Sequence, residues 1–244
     1  MERIIKLMMK MSPQSERHAN PFDMVRTKLY QFRKAYLTNF LRFYYSQFGE
    51  DVIIRSFIRK QRAGFFVDVG CYHPKKYSNT YWLYKRGWRG INVDMEQHKI
   101  ALFDLVRRRD VNITAAVANV EADFFIGKIK QNDLGATLIT ENKGGSLEQA
   151  RTKSLDAIIG GTLYANTRID LLTVDAEGYD LEVLKSLDFA KYQPRFLIVE
   201  TNDNDIDDII RSELYQYALA QGYFLKSWCI KSLFFIHQSE ASEY

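Results

Sequence analysis

Cysteine, proline and long apolar runs are all scarce in this chain of 244 residues. Its two cysteines, Cys71 and Cys229, provide neither a disulfide framework nor the spacing of a metal site, which favours a reducing compartment. No run of about 18 apolar residues occurs, so we expect no membrane-spanning segment. The start, MERIIKLMMKMSPQSER, has a short apolar run interrupted by Lys6 and Lys10, unlike a secretory signal peptide. These absences predict a cytoplasmic protein.

The small amounts of proline and glycine, 4 and 13 residues, and the lack of low-complexity sequence argue against disorder. Hydrophobic residues make up 46% of the chain, which is enough for one α/β domain with a full core and some additional structure. No internal repeat is found, so we expect a single main domain.

The net charge of +4 conceals a basic N-terminal segment. Residues 1–46 carry nine Lys or Arg against three Asp or Glu, and the remainder of the chain is slightly acidic. Within this segment, apolar residues recur at spacings of three to five, as in an amphipathic helix: Met24, Leu29, Phe32, Tyr36, Phe40 and Phe43. We therefore predict a basic helical extension over residues 1–45 and a main domain over residues 46–244.

Three kinds of partner suit such a helix. It can pack on the main domain or on a second subunit of a homo-oligomer, it can lie on an anionic membrane surface, or it can bind nucleic acid. The acidic main domain counts against a large nucleic-acid interface. Packing within the protein is the first expectation, and peripheral contact with the inner face of a membrane is the alternative.

From residue 46, short apolar runs alternate with helical stretches, which is typical of βαβ units and a parallel sheet. Five strands are predicted, over residues 64–70, 90–95, 111–119, 169–178 and 195–201. Helices are predicted over 78–87 and 205–222, and the last apolar runs, YFLKSW and SLFFIH, suit an antiparallel hairpin at the sheet edge. Residues 120–168 are less regular and are expected to form short strands and a flap over the site. The predicted fold class is α/β, with a mostly parallel seven-stranded sheet.

An acid, Asp68, lies inside the predicted first strand, FFVDVG. Burying a carboxylate is costly unless it is paired or hydrogen-bonded, so we expect Asp68 to have a functional role. The turn that follows contains one glycine, Gly70, whereas a dinucleotide fingerprint has three. A ligand with an amino-acid end fits better, because an acid beside this turn can face its ammonium group.

A second acid, Asp94, is predicted at the end of the second strand, where acids hydrogen-bond a ribose diol in nucleoside-binding folds. Together the two acids fit a nucleoside that carries an amino acid, which describes S-adenosylmethionine. The alternative is that Asp68 only caps the following turn and that Asp94 is merely exposed.

Three segments carry a family resemblance: SQFGED (46–51), FVDVGCYHPKKYSNTYWLYKRGWRGINVDM (66–95) and IDLLTVDAEGYDLEVLKSL (169–187). In this order they resemble the FkbM family of S-adenosylmethionine-dependent methyltransferases, and the resemblance covers residues 46–237. It implies a Rossmann-like class I methyltransferase fold with S-adenosylmethionine as cofactor. Because family members mostly methylate hydroxyl groups, often on sugars or polyketide products, it also implies an O-methyltransferase.

Cofactor contacts are predicted around the strand ends. The predicted cofactor-binding residues are Gln47, Glu50, Asp68, Gly70, Ser78, Asn79, Thr80, Asp94, Met95, Ala115 and Ala116. The triplet SNT opens the first helix, where side chains and backbone N–H groups can hold a carboxylate, with ordinary capping as the alternative. Gln47 and Glu50 lie in a segment marked by the resemblance and are expected to close over the amino-acid end. The residues after the second and third strands are expected to contact ribose and adenine, with Glu96 as a further candidate for the ribose.

Three acids follow the later strands and are expected to open on the same edge: Asp175, Glu177 and Glu200. A sugar hydroxyl is a poor nucleophile near neutral pH, so methyl transfer gains from a positioned general base. Asp175 is the first candidate for the base or for the group that orients the acceptor. His73, in the first loop, is another, with a loop hydrogen bond as the alternative. Asp175, Glu200 and Asn202 could also hold Mg²⁺, but acids in one crevice do not establish a metal site, and none is predicted.

The leading hypothesis is an O-methyltransferase that acts on a sugar hydroxyl in a glycan or glycolipid. The alternatives are a methyltransferase of another small hydroxylated metabolite, a nucleotide-sugar oxidoreductase on a dinucleotide-binding fold, and a non-catalytic cofactor-binding module. The single glycine after the first strand and the lack of a suitably placed Tyr-x-x-x-Lys pair count against the oxidoreductase.

Overall fold

The computed structural model describes residues 21–37, 43–58, 61–128, 136–139 and 148–243. The chain divides into two compact units, Met1–Phe43 and Tyr44–Tyr244. This division lies close to the one expected after residue 45. The roles assigned to the two parts, a helical extension and a catalytic domain, stay predictions.

The N-terminal unit contains helix α1, Pro21–Phe32, which continues into a π-helical turn at Arg33–Leu37. These residues form the first part of the predicted amphipathic helix, and Phe40 lies outside the described residues. Val25 and Leu29 are exposed, by 53% and 63%. Across the described ranges, no helix is long and apolar enough to cross a membrane.

The elements of the C-terminal unit alternate as predicted. Its strands are β1 Phe65–Val69, β2 Arg89–Asp94, β3 Val111–Thr114, β4 Ala116–Val117, β5 Asp123–Lys128, β6 Ala136–Ile139, β7 Glu148–Lys153, β8 Leu171–Val174, β9 Phe196–Glu200, β10 Tyr223–Cys229 and β11 Ser232–His237. Its α-helices are α2 Glu50–Phe57, α3 Tyr81–Lys85, α4 Gln97–Val106, α5 Leu155–Gly160, α6 Asp180–Lys185, α7 Phe189–Tyr192, α8 Ile206–Arg211 and α9 Glu213–Ala220.

Seven of the described strands form the main sheet, in the order β10-β11-β9-β8-β1-β2-β3. Strands β3, β2, β1, β8 and β9 are parallel, and β11 is antiparallel to both β9 and β10. The predicted mostly parallel sheet with a C-terminal antiparallel hairpin is therefore confirmed. The carboxyl ends of the parallel strands meet at one edge, which we call the carboxyl edge.

The central strands are apolar along their length because both faces of the sheet are covered. All five residues of β1 and all four residues of β8 are buried. Successive side chains alternate between two cores, so that Val67 and Leu172 belong to one while Phe66 and Leu171 belong to the other. The sheet thus forms a packed platform, and polar chemistry is confined to the strand ends.

Two predicted elements are shorter than expected for local reasons. The third strand, expected over 111–119, ends at Thr114, because Ala116–Val117 pairs with β7 in a second sheet. The helix expected over 205–222 is divided into α8 and α9 at Ser212. This serine has an extended backbone, and its hydroxyl caps α9 by accepting a hydrogen bond from a backbone N–H group.

The irregular region 120–168 contains the short strands that were predicted. Within the described residues, β4, β7, β5 and β6 form a four-stranded second sheet in that order. Residues 129–135 and 140–147, on which much of the predicted flap falls, lie outside the described residues.

Gly90 in β2 leaves room for a buried aromatic ring. A Cβ added at Gly90 would lie 2.1 Å from Cε2 of Phe66, which is fully buried. We expect Gly90→Ala to lower the free energy of unfolding by about 1–3 kcal/mol, because the ring must move within a close-packed core. Chemical denaturation measures this change. Gly160→Ala is the matched control, since a Cβ there meets no atom within 4 Å. Equal midpoints for the two variants would contradict the expectation.

Candidate active site

Four acids lie at the carboxyl edge of the main sheet. Asp68 lies near the end of β1, Asp94 ends β2, Asp175 follows β8, and Glu200 ends β9. Because β1 lies between β2 and β8, and β8 lies beside β9, the acids follow the strand order across the edge. The structure thus brings the predicted strand-end residues to one edge.

The Asp68 carboxylate is nearly buried, with 8% of the residue exposed. Thr80 Oγ1 donates a hydrogen bond of 2.6 Å to Asp68 Oδ2. Burial raises the pKa of Asp68 to about 6, while the Thr80 hydrogen bond and the positive charge of Arg107 act in the opposite direction. No donor from the described part of the chain reaches Oδ1, so this oxygen can accept a hydrogen bond from a ligand.

Arg107 is a site residue that the sequence analysis missed. Its side chain is fully buried, at the end of α4. Its Nε donates to Pro74 O at 2.9 Å, and its Nη2 donates to Ser78 Oγ at 2.7 Å and to Thr80 Oγ1 at 3.0 Å. An ion pair of 3.5 Å with Asp110 supplies negative charge. Arg107 therefore fastens the loop between β1 and α3 to the end of α4.

The direction of these hydrogen bonds follows from Arg107, because a guanidinium group can only donate. The Thr80 hydroxyl accepts from Arg107, so its own proton is directed to Asp68. The sequence signal for Arg107 is the basic run RRRD at 107–110, which by itself is typical of a solvated surface.

The residues Ser78, Asn79 and Thr80 hold the loop in shape. Ser78 and Thr80 are buried and their hydroxyls belong to the Arg107 network, while Asn79 Nδ2 donates to Thr173 Oγ1 at 3.2 Å. Ser78 Oγ also accepts from the first N–H group of α3, as a cap does. The two hydroxyls thus have partners inside the protein, and their predicted contact with the cofactor carboxylate stays a prediction. Contact of Asn79 with the cofactor stays a prediction.

Gly70 is required by a close approach between two backbone segments. Its φ of +80° lies in the left-handed region, and a Cβ there would lie 1.7 Å from Asp175 O. In addition, Asp175 N donates to Val69 O at 3.0 Å. The turn after β1 and the turn after β8 are thus in direct contact. We call the loop between β1 and α3 the cofactor loop, and this contact brings it beside Asp175, the first candidate for the base.

Asp94 is buried and paired. Its Oδ1 accepts from Glu96 N at 2.8 Å, and Lys99 Nζ lies 3.4 Å from its Oδ2 and 2.6 Å from Glu96 Oε1. Burial raises the pKa of Asp94, against the charge of Lys99. The Glu96 side chain is 18% exposed, against 5% for Asp94, so Glu96 is better placed to reach a ligand. Lys99 is a second residue that the sequence analysis missed.

Met95, Ala115 and Ala116 lie near the ends of β2 and β3. Met95 and Ala115 are half-buried, and Ala115 N donates to Asp94 O at 3.0 Å. Ala116 is buried in β4, where it pairs with β7. Contacts of these residues with ribose and adenine stay predictions.

The segment SQFGED, residues 46–51, connects two parts of the site. Glu50 is buried, and its Oε1 accepts from Ser232 Oγ at the start of β11, at 3.3 Å. The carbonyl just before the segment accepts from Ser78 N at 3.1 Å. Gln47 is exposed. Contacts of Gln47 and Glu50 with the cofactor stay predictions.

Asp175, Glu177 and Glu200 form an acid cluster. One carboxylate oxygen of each lies within 4.8 Å of those of the others, and Lys231 Nζ lies 3.3 Å from Glu200 Oε1. Part of Asp175 is exposed, but its carboxyl group is surrounded by protein atoms, and this loss of water together with the neighbouring Glu200 raises its pKa well above the ordinary value. Lys231 lies beside Glu200, so the two neighbouring carboxyl groups have different surroundings.

Asp180 shapes the loop that carries this cluster. Its Oδ1 accepts from Ala176 N at 2.9 Å, and its Oδ2 accepts from Gly178 N at 3.2 Å. Glu177, between these two residues, has a left-handed φ of +49°, which is uncommon for a residue with a side chain. The hydrogen bonds of Asp180 thus hold a strained turn at the cluster.

His73 belongs to a local hydrogen-bond pattern. Its Nδ1 accepts from the backbone N–H groups of Lys75 and Lys76, both at 3.0 Å. Partial burial and the two lysines lower its pKa, which favours the neutral ring. With Nδ1 used as an acceptor, the ring proton lies on Nε2, so His73 is arranged as a donor and not as a base.

The order of the main sheet and its antiparallel last strands are those of the Rossmann-like class I methyltransferase fold. Residues 68–225, more than half of the chain, match the family described as the methyltransferase FkbM domain. The chain belongs to this family. S-adenosylmethionine is therefore the expected cofactor of this FkbM-family methyltransferase.

Solved structures of other methyltransferases are similar at low sequence identity. A TehB-like SAM-dependent methyltransferase from Corynebacterium glutamicum is 12% identical, covers 90% of this chain and 100% of its own, and has a TM-score of 0.42. A methyltransferase from Geobacter sulfurreducens is 11% identical, covers 97% of each chain, and has a TM-score of 0.42. No curated protein matches the chain. The fold assignment rests on the strand order and the family match.

The residues of this FkbM-family site fit S-adenosylmethionine in their chemistry. Asp68 Oδ1 is available to an ammonium group, and the acids Asp94 and Glu96 offer oxygens to a ribose diol. The space beside Gly70 is filled by the backbone of Asp175, which leaves no cradle for a pyrophosphate. The site thus suits a nucleoside with an amino-acid end better than a dinucleotide.

Arg107 is expected to control cofactor affinity. Arg107→Met removes the guanidinium that orients Thr80 and Asp68, and should weaken binding of S-adenosylhomocysteine about tenfold or more. Affinity should be lost as the pH falls through about 6, where Asp68 takes up a proton. In the variant this midpoint should move to higher pH, because a nearby positive charge favours the ionised acid. Isothermal titration calorimetry at several pH values measures both effects.

Arg108→Met is the control, since the neighbouring Arg108 is exposed. Circular dichroism confirms that each variant is folded. A folded Arg107→Met protein with the affinity and the pH midpoint of the natural chain would contradict this role of Arg107.

Proposed function

We propose that this protein transfers a methyl group from S-adenosylmethionine to a hydroxyl group of a sugar, in a glycan or a glycolipid. The observation that carries the proposal is the acid cluster next to the cofactor loop. Asp175 is in backbone contact with Gly70, and the carboxylates of Glu177 and Glu200 lie beside it. Carboxylates are acceptors for the hydroxyl groups that a sugar presents.

The cofactor supplies an electrophilic methyl group when it is bound. Transfer to a hydroxyl group requires that the acceptor oxygen is held in line and that its proton is removed. In the proposed mechanism Glu200, which lies 3.3 Å from Lys231 Nζ, accepts this proton. Burial and the neighbouring Glu200 raise the pKa of Asp175, and in its protonated form Asp175 donates a hydrogen bond that orients the acceptor. The acceptor oxygen would gain the methyl group as it loses its proton to Glu200, and the carbon–sulfur bond of the donor would break, so that the products are a methyl ether and S-adenosylhomocysteine.

The family match sets aside the nucleotide-sugar oxidoreductase. Methylation of another small hydroxylated metabolite differs from the proposal in the acceptor, and a non-catalytic cofactor-binding module differs in forming no product. Product analysis after incubation with labelled cofactor separates these alternatives from the proposal.

The acid pair gives a direct test of the proposed chemistry. Asp175→Asn and Glu200→Gln should each lower the rate of labelled methyl transfer to a sugar acceptor about 100-fold. The affinity for S-adenosylhomocysteine should stay nearly unchanged, because these carboxyl groups face the acceptor. A panel of glycosides serves as the acceptor, and mass spectrometry identifies the methyl ether.

Glu182→Gln is the matched control, because Glu182 is an acid on α6 that pairs with Lys185 at the surface. If both acid variants keep full activity, the base is another group. If the natural chain binds the cofactor and methylates no sugar, the sugar acceptor is wrong.

For the N-terminal unit, we infer peripheral contact with an anionic membrane surface, on the cytoplasmic side, where a lipid-linked acceptor can be reached. Val25 and Leu29 are exposed on α1, and basic residues such as Arg26 and Arg33 lie on the same helical segment. Each basic residue near an anionic bilayer contributes about 1 kcal/mol of binding free energy. The alternative is that this segment packs within the protein or against a second subunit.

Vesicle sedimentation tests the membrane proposal. The full chain should pellet with anionic vesicles at low salt and not with neutral ones, because the attraction is electrostatic and is screened by salt. A chain without residues 1–43 should stay in the supernatant. A full chain that never pellets, or a truncated chain that aggregates, would favour packing within the protein.

A further inference from the structure

The turn of the C-terminal hairpin, residues 228–231, borders the acid cluster, and we call it the hairpin tip. Lys231 Nζ reaches Glu200 Oε1 at 3.3 Å. The charge of Glu200, followed by those of Glu177 and Asp175, raises the pKa of Lys231. Lys231 is thus in contact with the acid cluster through Glu200, and the hairpin tip lies beside the position proposed for the acceptor hydroxyl.

Two large apolar side chains of the hairpin tip are exposed next to these charges. Trp228 is 37% exposed and Ile230 is 58% exposed. By contrast, every residue of the adjoining strand β11 is buried. Exposed apolar surface that is rimmed by polar groups is typical of ligand-binding grooves.

The hairpin tip has an unusual conformation that hydrogen bonds hold in place. Ile230 has a φ of +52°, in the left-handed region that a β-branched residue avoids. Trp228 Nε1 donates to Ile230 O at 2.6 Å, and Thr201 N donates to Lys231 O at 2.7 Å. The first bond fixes the indole ring on the turn, and the second ties the turn to the end of β9. Strain of this kind persists only where its surroundings enforce it, and it is common at ligand-binding sites.

Phe48, in the SQFGED segment, contacts the hairpin tip at Cys229, whose side chain lies on the opposite face of β10 from that of Trp228. It is 37% exposed, and its carbonyl oxygen accepts a weak hydrogen bond from Cys229 Sγ at 3.7 Å. Because this segment also contacts the loop after β1, it links the hairpin tip to the cofactor side of the site.

A sugar ring has the two kinds of surface that this arrangement requires. Its hydroxyl groups suit carboxylates and a lysine, and its C–H face suits an aromatic and an aliphatic side chain. We propose that the hairpin tip recognises the acceptor, with a sugar ring packed against Trp228 and Ile230 while its reacting hydroxyl lies at the acid cluster. This inference rests on the proposed function and adds to it the residues that select the acceptor.

Sugar binding can be tested before the natural acceptor is identified. The probes are methyl glycosides of glucose, mannose, galactose and rhamnose, added to the full chain with S-adenosylhomocysteine. Saturation-transfer NMR reports which ring protons contact the protein, and titration gives the affinity. Ile230→Gly is the most informative variant, because glycine adopts the same φ without strain, so the side chain is lost while the turn is kept.

The second variant is Trp228→Ala, and Leu163→Ala is the matched control. Leu163 is 78% exposed and lies between α5 and β8, away from the carboxyl edge. We expect saturation transfer to the ring C–H protons of at least one glycoside, for the natural chain and for Leu163→Ala. Trp228→Ala should weaken this binding about tenfold and Ile230→Gly by a smaller factor. In a transfer assay the acceptor KM should rise while kcat is nearly kept, as expected for lost ground-state binding.

Three results would overturn the proposal. The first is that the natural chain and both tip variants bind glycosides equally. The second is that the natural chain contacts no glycoside while S-adenosylhomocysteine is bound. The third is that catechol binds in a way that depends on the hairpin tip while no glycoside does. If the natural chain methylates a sugar and the tip variants bind that sugar normally, the proposed function stands and only this inference is wrong. A chain that binds neither the cofactor product nor a sugar contradicts both.

Discussion

The buried guanidinium of Arg107 organises the cofactor side of this protein. A buried charge is tolerated only when its hydrogen-bonding groups are satisfied, and this one finds a carbonyl, two hydroxyls and a carboxylate. Because it can only donate, every group around it must accept, and Thr80 is left to donate to Asp68. The loop after β1 is thus held by a residue 27 to 33 positions further along the chain than the groups it contacts. Arg107 thus supplements the local contacts of the loop, such as those of His73, with bonds from a different element.

The acceptor side depends on the opposite balance of charge. Lys231 pairs with Glu200 at a cluster of three carboxyl groups, and a positively charged ligand would be stabilised beside these acids. Burial and the neighbouring Glu200 raise the pKa of Asp175, while Lys231 lies beside Glu200. The two acids thus have different surroundings although their sequence contexts, both at the ends of buried strands, are alike. In the proposed mechanism this difference separates the orienting group from the base.

The sheet and its acids could be predicted from the sequence because they follow from local patterns. Apolar runs mark the strands, and an acid at the end of a run lies at the carboxyl edge wherever the strands are parallel. The cations Arg107, Lys99 and Lys231 could not be found in this way, since a long basic side chain gives no sequence signal of what it contacts. The contacts of Ser78 and Thr80 with Arg107 were not predicted for the same reason, because their partner lies on a different element. Ser212 divided a predicted helix because a capping hydroxyl competed with helix continuation.

The contact between Gly70 and the backbone of Asp175 sets the spacing between methyl donor and acceptor. With no side chain between them, the two turns touch directly, and a hydrogen bond from Asp175 N to Val69 O joins them as well. Neither turn can shift alone, so the distance from the cofactor loop to the acids is a fixed property of the sheet. Relatives that accept different substrates can therefore diverge in the outer hairpin turn while this inner spacing stays the same. In such a lineage, a side chain at position 70 would force the two inner turns apart, whereas position 230 is open to change.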